Sequence, residues 1–248
     1  KKHIILAPTG IAAINAGGST LHSFFKLPFH PLLPNDSMYS VRNIRNTLKY
    51  NSEKIKIIRE VELIIIDEIS MVRADIIDFL DKILRVYCRN MREPFGGKQL
   101  LLVGDIFQLE PVVREDDRRL LSPFYRSSFF FNAKVFEYFK LVSIELKKVY
   151  RQSDPVFISI LDHIRTSQVP MQDLQRLNQR VGAQLDESDS KLAITLSTRR
   201  DTVDYINDSQ LQCLPGEPCL FRGHIQGEFP ESSLPTPIEL YLKTGAQV

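Results

Sequence analysis

Two adjacent carboxylates, Asp67 and Glu68, end a run of large apolar residues, Leu63-Ile64-Ile65-Ile66. A buried strand would deliver two charges to one spot, and in open α/β sheets the ends of strands are where ligands bind. Two further apolar runs also finish in polar residues. Ile4-Ile5-Leu6-Ala7 leads into Pro8-Thr9-Gly10, and Leu100-Leu101-Leu102-Val103 leads into Gly104-Asp105, with Gln108 and Pro111 shortly after. Thr9 can cap a short helix over residues 11–16 while Gly10 lets the backbone come close to a ligand, and such a helix N-terminus is a natural seat for a phosphate group. The stretch Ser19-Thr20-Leu21-His22-Ser23-Phe24-Phe25 adds hydroxyls and an imidazole that can donate to phosphate oxygens. Its aromatic rings suit either stacking on unpaired bases or packing in a core.

The elements that would position these groups follow from pattern. Continuous apolar runs of four to six residues read as strands covered on both faces, the habit of parallel sheets, and in such sheets ligands bind beyond the carboxyl ends of the strands. All three polar clusters would therefore lie on one edge. Val72, Ile76, Ile77, Leu80, Ile83, Leu84, Tyr87 and Met91 recur at helical spacing, so a long amphipathic helix is expected after Glu68, ending near Pro94. Leu141-Val142-Ser143-Ile144-Glu145-Leu146 and Leu192-Ala193-Ile194-Thr195-Leu196-Ser197 are two more strand candidates, and Thr198 repeats at the end of the second the arrangement of Thr9. Asp154-Pro155 opens a helix whose apolar face is Val156, Phe157, Ile160, Leu161 and Ile164. Helices are also expected around Leu174 and Leu177 and near 201–211, and a last strand at the C-terminal end. The aromatic-rich segment from Arg114 to Lys140 reads as core packing around a short helix. Residues 26–60, broken by Pro28, Pro31 and Pro34 and rich in Lys and Arg, read as an insertion with a basic surface.

Composition narrows the class. With 248 residues, 43% of them hydrophobic, the chain can bury a substantial core. A net charge of only +2 means that any affinity for nucleic acid has to come from local patches. Cys88, Cys213 and Cys219 suit a reducing, intracellular compartment better than a disulfide framework. Cys213, Cys219 and His224 lack the paired short spacing of a zinc site. No apolar run approaches a membrane span and no signal peptide opens the chain, so no membrane is expected as a partner.

In their order, the motifs resemble helicases of the petite-integration-frequency family, the PIF helicases, in the RecD-like branch of superfamily 1B. Residues 7–13 and 17–24 resemble the family's motif Ia region and the segment after it, and Ile65-Ile66-Asp67-Glu68-Ile69-Ser70-Met71-Val72 resembles its Walker B motif. Asp81-Lys82, Arg85, Arg89 and Pro94-Phe95-Gly96-Gly97 resemble the family's signature element. Gly104-Asp105-Ile106-Phe107-Gln108-Leu109-Glu110-Pro111-Val112 looks like motif III, with Glu110 where a proline is usual. Leu146 through Arg151-Gln152, Asp154 and Phe157 to Arg165 is similar to the motif opening the second lobe. The phosphate-binding P-loop is expected to lie before Lys1 and the last motifs beyond Val248, since neither pattern occurs within the sequence.

The resemblance implies an α/β fold: a RecA-like parallel-sheet lobe over 1–145, carrying the small inserted subdomain of about 26–60, and the first part of a second RecA-like lobe over 146–248. It implies an ATP-dependent, 5′-to-3′ DNA helicase with ATP and Mg²⁺ as cofactors, monomeric in solution and acting on single-stranded, forked or structured DNA. Asp67 would help hold Mg²⁺ through water, Glu68 would polarise the attacking water, Gln108 would sense the γ-phosphate, and Arg151 would serve as an arginine finger. Pro8, Thr9, Gly10, His22, Ser23, Phe24 and Thr198 would contact the DNA strand. Two other classes stay open from the residues alone. One is a nucleic-acid-binding module without catalysis; the other is a metal-dependent nuclease using Asp67, Glu68 and Asp105 with Glu145-Leu146-Lys147.

Overall fold

The computed structural model describes residues 2–184, 193–225, 234 and 236–247. It divides into two compact units, Lys1–Arg165 and Thr166–Val248.

The first unit is an α/β lobe built on a four-stranded sheet in the order β2-β1-β3-β4, with β1 His3–Ala7, β2 Ser19–Thr20, β3 Leu63–Ile66 and β4 Gln99–Leu102. Every pairing in it is parallel. Leu6, Ile66 and Leu102 stand in one row across three strands, as do Ile4, Ile64 and Leu100. The side chains of these rows join the hydrophobic core or pack against it. On the opposite face Ile5 and Ile65 are only half-buried and Leu101 is exposed. One face of the sheet thus carries the core, with Leu6, Ile64 and Ile66 buried, where the apolar runs alone suggested burial on both.

Between β1 and β2 runs α1, Gly10–Asn15, whose N-cap Thr9 accepts the backbone N–H of Ala12 at 3.3 Å. Gly17, at φ +68°, turns the chain out of the helix. Gly18 then passes so close to β1 that a Cβ there would overlap the carbonyl of Ile5. That close approach lets Ser19 and Thr20 pair with Leu6 and Ala7. Thr20 caps α2, Leu21–Phe25.

The basic insertion folds onto the lobe. Its helices α3, Ile44–Leu48, and α4, Ser52–Glu60, bury Ile44, Leu48 and Ile58 in the same core. Arg45 donates to the carbonyl of Val86 at 2.7 Å and Arg59 to that of Tyr87 at 3.0 Å. Both carbonyls lie in the last turn of α5, Ala74–Cys88, where carbonyls lack helical partners and the helix dipole favours cations. These two arginines therefore cap a helix instead of forming free basic surface.

Helix α5 is the long amphipathic helix expected from its spacing, ended by Arg89 in the left-handed region. The signature element is a buttress at its far end. Asp81 accepts both the guanidinium of Arg85 at 2.8 Å and the backbone N–H of Phe95 at 2.5 Å, while Phe95 is buried. Gly96, at φ +63°, lies against the carbonyl of Leu84, where a side chain has no room.

After β4 come α6, Glu115–Leu121, two single-turn 3-10 helices at Phe130–Asn132 and Lys134–Glu137, and α7, Pro155–Arg165. Tyr125, Phe130 and Val135 join the core as the aromatic density suggested. Two expectations fail. Residues 141–146 form no strand, and Val142, Ile144 and Leu146 are more than four-fifths exposed. Residues 193–197 form none either, with Leu192 of that candidate outside the described residues. An apolar segment becomes a strand only where a neighbour offers its backbone in register, and neither segment has one among the described residues. Asp154 does cap α7, accepting the N–H of Val156 at 2.8 Å, but Ile160 alone of its expected apolar face is buried.

The second unit contains α8 Met171–Asn178, α9 Arg200–Cys213 and an antiparallel pair, β5 Cys219–Arg222 with β6 Glu239–Leu242. Among the described residues no helix is long and apolar enough to cross a membrane.

The crowding at Gly18 makes a specific expectation. Gly18→Ala should cost about 3 kcal/mol of folding stability, the upper range for forcing an atom into packed structure. Gly10→Ala, at a position with open space around it, should change stability by less than about 1 kcal/mol. Urea denaturation of the two variants side by side checks the contrast.

Candidate nucleotide and nucleic-acid site

Parallel register places the ends of β1, β3 and β4 side by side, so Pro8-Thr9-Gly10, Asp67-Glu68 and the 104–108 loop share one edge of the sheet. Backbone bonds join them. The N–H of Asp67 donates to the carbonyl of Leu6 at 2.9 Å, that of Val103 to Ile66 at 2.8 Å, and that of Ile69 to Val103 at 2.9 Å. Gly104 lies beneath the next turn, where a Cβ would stand 2.9 Å from the backbone nitrogen of Ile69. The loop after β4 and the turn after β3 are consequently one packed unit.

Glu68 is the strained residue of this edge. It takes φ +50° and ψ +43°, the left-handed region that disfavours a side chain of its length. Its N–H donates to Oδ1 of Asp67 at 3.0 Å. Strain of this kind persists only where the surroundings over-determine it, and it concentrates at functional sites. Here the turn directs two consecutive carboxylates, both half-buried, to the strand end. Ser70, two residues on, is fully buried with no hydrogen-bond partner for its hydroxyl among the described residues.

Among the described residues no group of three or more His, Cys, Asp or Glu could form a metal cage. Asp67 supplies a single carboxylate. That donor set fits Mg²⁺, which keeps much of its water and takes one or two carboxylates plus substrate phosphates. It does not fit an all-protein nuclease centre, and Glu145 and Lys147 stand exposed in an irregular segment.

The loop after β4 is ordered by Asp105, whose Oδ1 accepts the N–H of Phe107 at 3.0 Å and whose Oδ2 accepts Nε2 of Gln108 at 3.3 Å. Gln108 itself is exposed. Arg151 is exposed in a bend just before α7. Two cavities, of about 310 and 340 Å³, flank α5, and neither is lined by Asp67, Glu68 or Gln108.

The residues expected to touch a nucleic-acid strand divide into distinct environments. Thr9 and Gly10 are exposed and Pro8 is half-buried. Ser23 is exposed on α2. His22 stacks face to face on Phe29, with ring centroids 5.1 Å apart and planes 7° from parallel. Phe29 is itself 87% exposed, an aromatic face that reading residues 26–60 as a proline-broken insertion overlooked. An aromatic directly after Pro28, with the basic Lys26 three positions before it, was the available signal. Phe25 is wholly buried, while Phe24 packs partly against the core and carries the Lys54 ammonium 3.5 Å from its ring centroid. Burial, and secondarily the neighbouring Lys26, lowers the pKa of Lys54. Thr198 lies at an exposed bend of the second unit, where Ser197 rather than Thr198 accepts the N–H of Arg199.

A sequence profile described as PIF1-like helicase matches residues 1–174. The ATP-dependent DNA helicase PIF1 of Saccharomyces cerevisiae is 32% identical over 253 residues, covering 98% of this chain and 28% of the yeast protein. The crystal structure of Bacteroides Pif1 bound to ssDNA superposes with a TM-score of 0.82 at 42% identity, over 98% of this chain and 54% of that one. Bacteroides Pif1 in complex with ADP-AlF3 and ssDNA gives a TM-score of 0.80 at 40% identity, with the same coverage. The chain thus spans about a quarter of the curated relative and about half of the solved ones.

Burial pushes the His22 imidazole below its ordinary pKa of 6.5, with Arg73 adding to the effect and Asp75 opposing it. A base whose folded pKa is depressed stabilises the fold fully above its unfolded value and loses that contribution as pH falls toward the folded one. Folding stability is therefore expected to decline on acidification below about pH 6.5. Replacing His22 by Asn should flatten that part of the profile, as measured by urea midpoints between pH 7.5 and 5.

Proposed function

The chain belongs to the PIF1-like helicase family, and from that premise we propose that it is the ATP-coupling and strand-binding core of a 5′-to-3′ DNA helicase. The observation that carries the proposal is the convergence of three parallel strand ends, one with a strained acidic turn, on a single sheet edge. A translocating ATPase needs its nucleotide sensor and its strand contacts on one rigid frame, and on this reading the edge would supply both.

Each residue would have its own role. Asp67 would hold hydrated Mg²⁺, which when bound neutralises charge on the transferred phosphoryl group. Glu68, raised on its left-handed turn, would accept the proton of the attacking water. Gln108, steadied by Asp105, would sense the γ-phosphate from the loop packed beneath that turn. Arg151, ahead of α7, would act as arginine finger, a contribution of about 10³ to 10⁵ in rate where such a residue operates. Pro8, Thr9, Gly10, His22 and Ser23 would bind the phosphates and bases of a single strand, with Phe24 supporting them from its packed position. Thr198 would contact the strand from the second lobe.

The same reading assigns 1–145 to a first RecA-like lobe, with 26–60 as its inserted subdomain, and 146–248 to the start of a second. Its partners would be single-stranded and forked DNA, its working form a monomer, and its compartment intracellular.

In the natural full-length protein, Glu68→Gln should retain binding of ATP and single-stranded DNA while DNA-stimulated hydrolysis falls by about 10² to 10⁴, the usual contribution of a positioned general base. Steady-state phosphate release and fluorescence anisotropy measure the two halves of this expectation. Near-normal turnover would remove Glu68 from the role.

A further inference from the structure

Asp105 takes part in one more contact that the roles above leave unexplained. Its Oδ2, already accepting Gln108, lies 3.6 Å from Nε of Arg165. The Arg165 guanidinium also stands over the ring of Phe107, with 5.1 Å from Cζ to the ring centroid. Arg165 is the last residue of α7, the helix entered just after Arg151. Two contacts from one side chain thus fall on a four-residue loop whose last member is Gln108.

We propose that Arg165 is a positioning residue: by engaging the Asp105 carboxylate and the face of Phe107 together, it fixes the 105–108 loop and so presents Gln108 to the nucleotide. The inference rests on the reading of Gln108 as the γ-phosphate sensor. A planar guanidinium suits this double engagement, since it pairs with a carboxylate and lies against an aromatic face at once, where a lysine offers only a point charge. The side chains of Arg165 and Asp105 are 40% and 28% exposed, so solvent screens their attraction and it adds little to folding. The effect belongs to loop placement. It also connects the loop after β4 to the helix that follows the proposed finger, so a shift of α7 is felt at Gln108.

Two measurements test the proposal. In the 248-residue chain, Arg165→Ala should raise amide hydrogen exchange at Phe107 about fivefold while the urea midpoint stays unchanged, as fits a half-exposed pair. In the natural full-length protein the same change should lower the kcat of DNA-stimulated ATP hydrolysis about fivefold with the KM for ATP within about twofold, and Arg165→Lys should recover part of the loss. Unchanged exchange at Phe107 overturns the contact. Raised exchange with unchanged kcat, or an effect confined to KM, overturns the positioning role. Wild-type protein lacking DNA-stimulated hydrolysis would instead sink the helicase reading and this role with it, and the exchange result would still report separately on whether Arg165 restrains the loop.

Discussion

Everything proposed for the first unit depends on parallel register. β1, β3 and β4 pair residue for residue through His3–Leu6, Leu63–Ile66 and Gln99–Leu102. Because side chains alternate between faces, a slip of β3 by one residue would turn Ile64 and Ile66 out of the core and carry Asp67 away from the end of β1. The hydrophobic core therefore selects the register, and the register brings together chemistry separated by tens of residues in sequence. A site assembled this way needs few direct contacts between functional side chains. Backbone bonds, Asp67 to Leu6 and Ile69 to Val103, supply the alignment.

Much of this frame was legible beforehand because it depends on short-range pattern. Apolar runs ending in polar residues marked β1, β3 and β4; Thr9 and Asp154 announced the helices they cap; the 3.6-residue spacing gave α5. What escaped prediction depends on partners far along the chain. Residues 141–146 and 193–197 have the composition of strands and none of the pairing. Arg45 and Arg59 looked like solvated charge, and only the folded chain shows the carbonyls of Val86 and Tyr87 that they meet. Phe29 gave no periodic signal, since its significance is a stacking partner seven residues earlier on another element. Arg165 belonged to a recognisable stretch, but its link to Asp105 spans sixty residues of sequence, from 105 to 165.

The signature element acts on packing. Asp81 gathers Arg85 and the Phe95 backbone, and Gly96 admits the carbonyl of Leu84, so the chain leaving α5 is held before β4 begins. Together with the arginines of the insertion, these contacts fix α5 at its last turns, and α5 provides much of the core. Its influence on the 104–108 loop is thus indirect, through where β4 starts.

The backbone of Glu68 has an evolutionary consequence. At φ +50° glycine and asparagine are the residues that rest most easily. A drift to either would relax the turn and harden the fold while removing the carboxylate. On the role proposed for Glu68, selection for thermal robustness and selection for turnover would pull in opposite directions at this one position. A stabilised descendant would then lose the proposed activity here without any sign of damage to its structure.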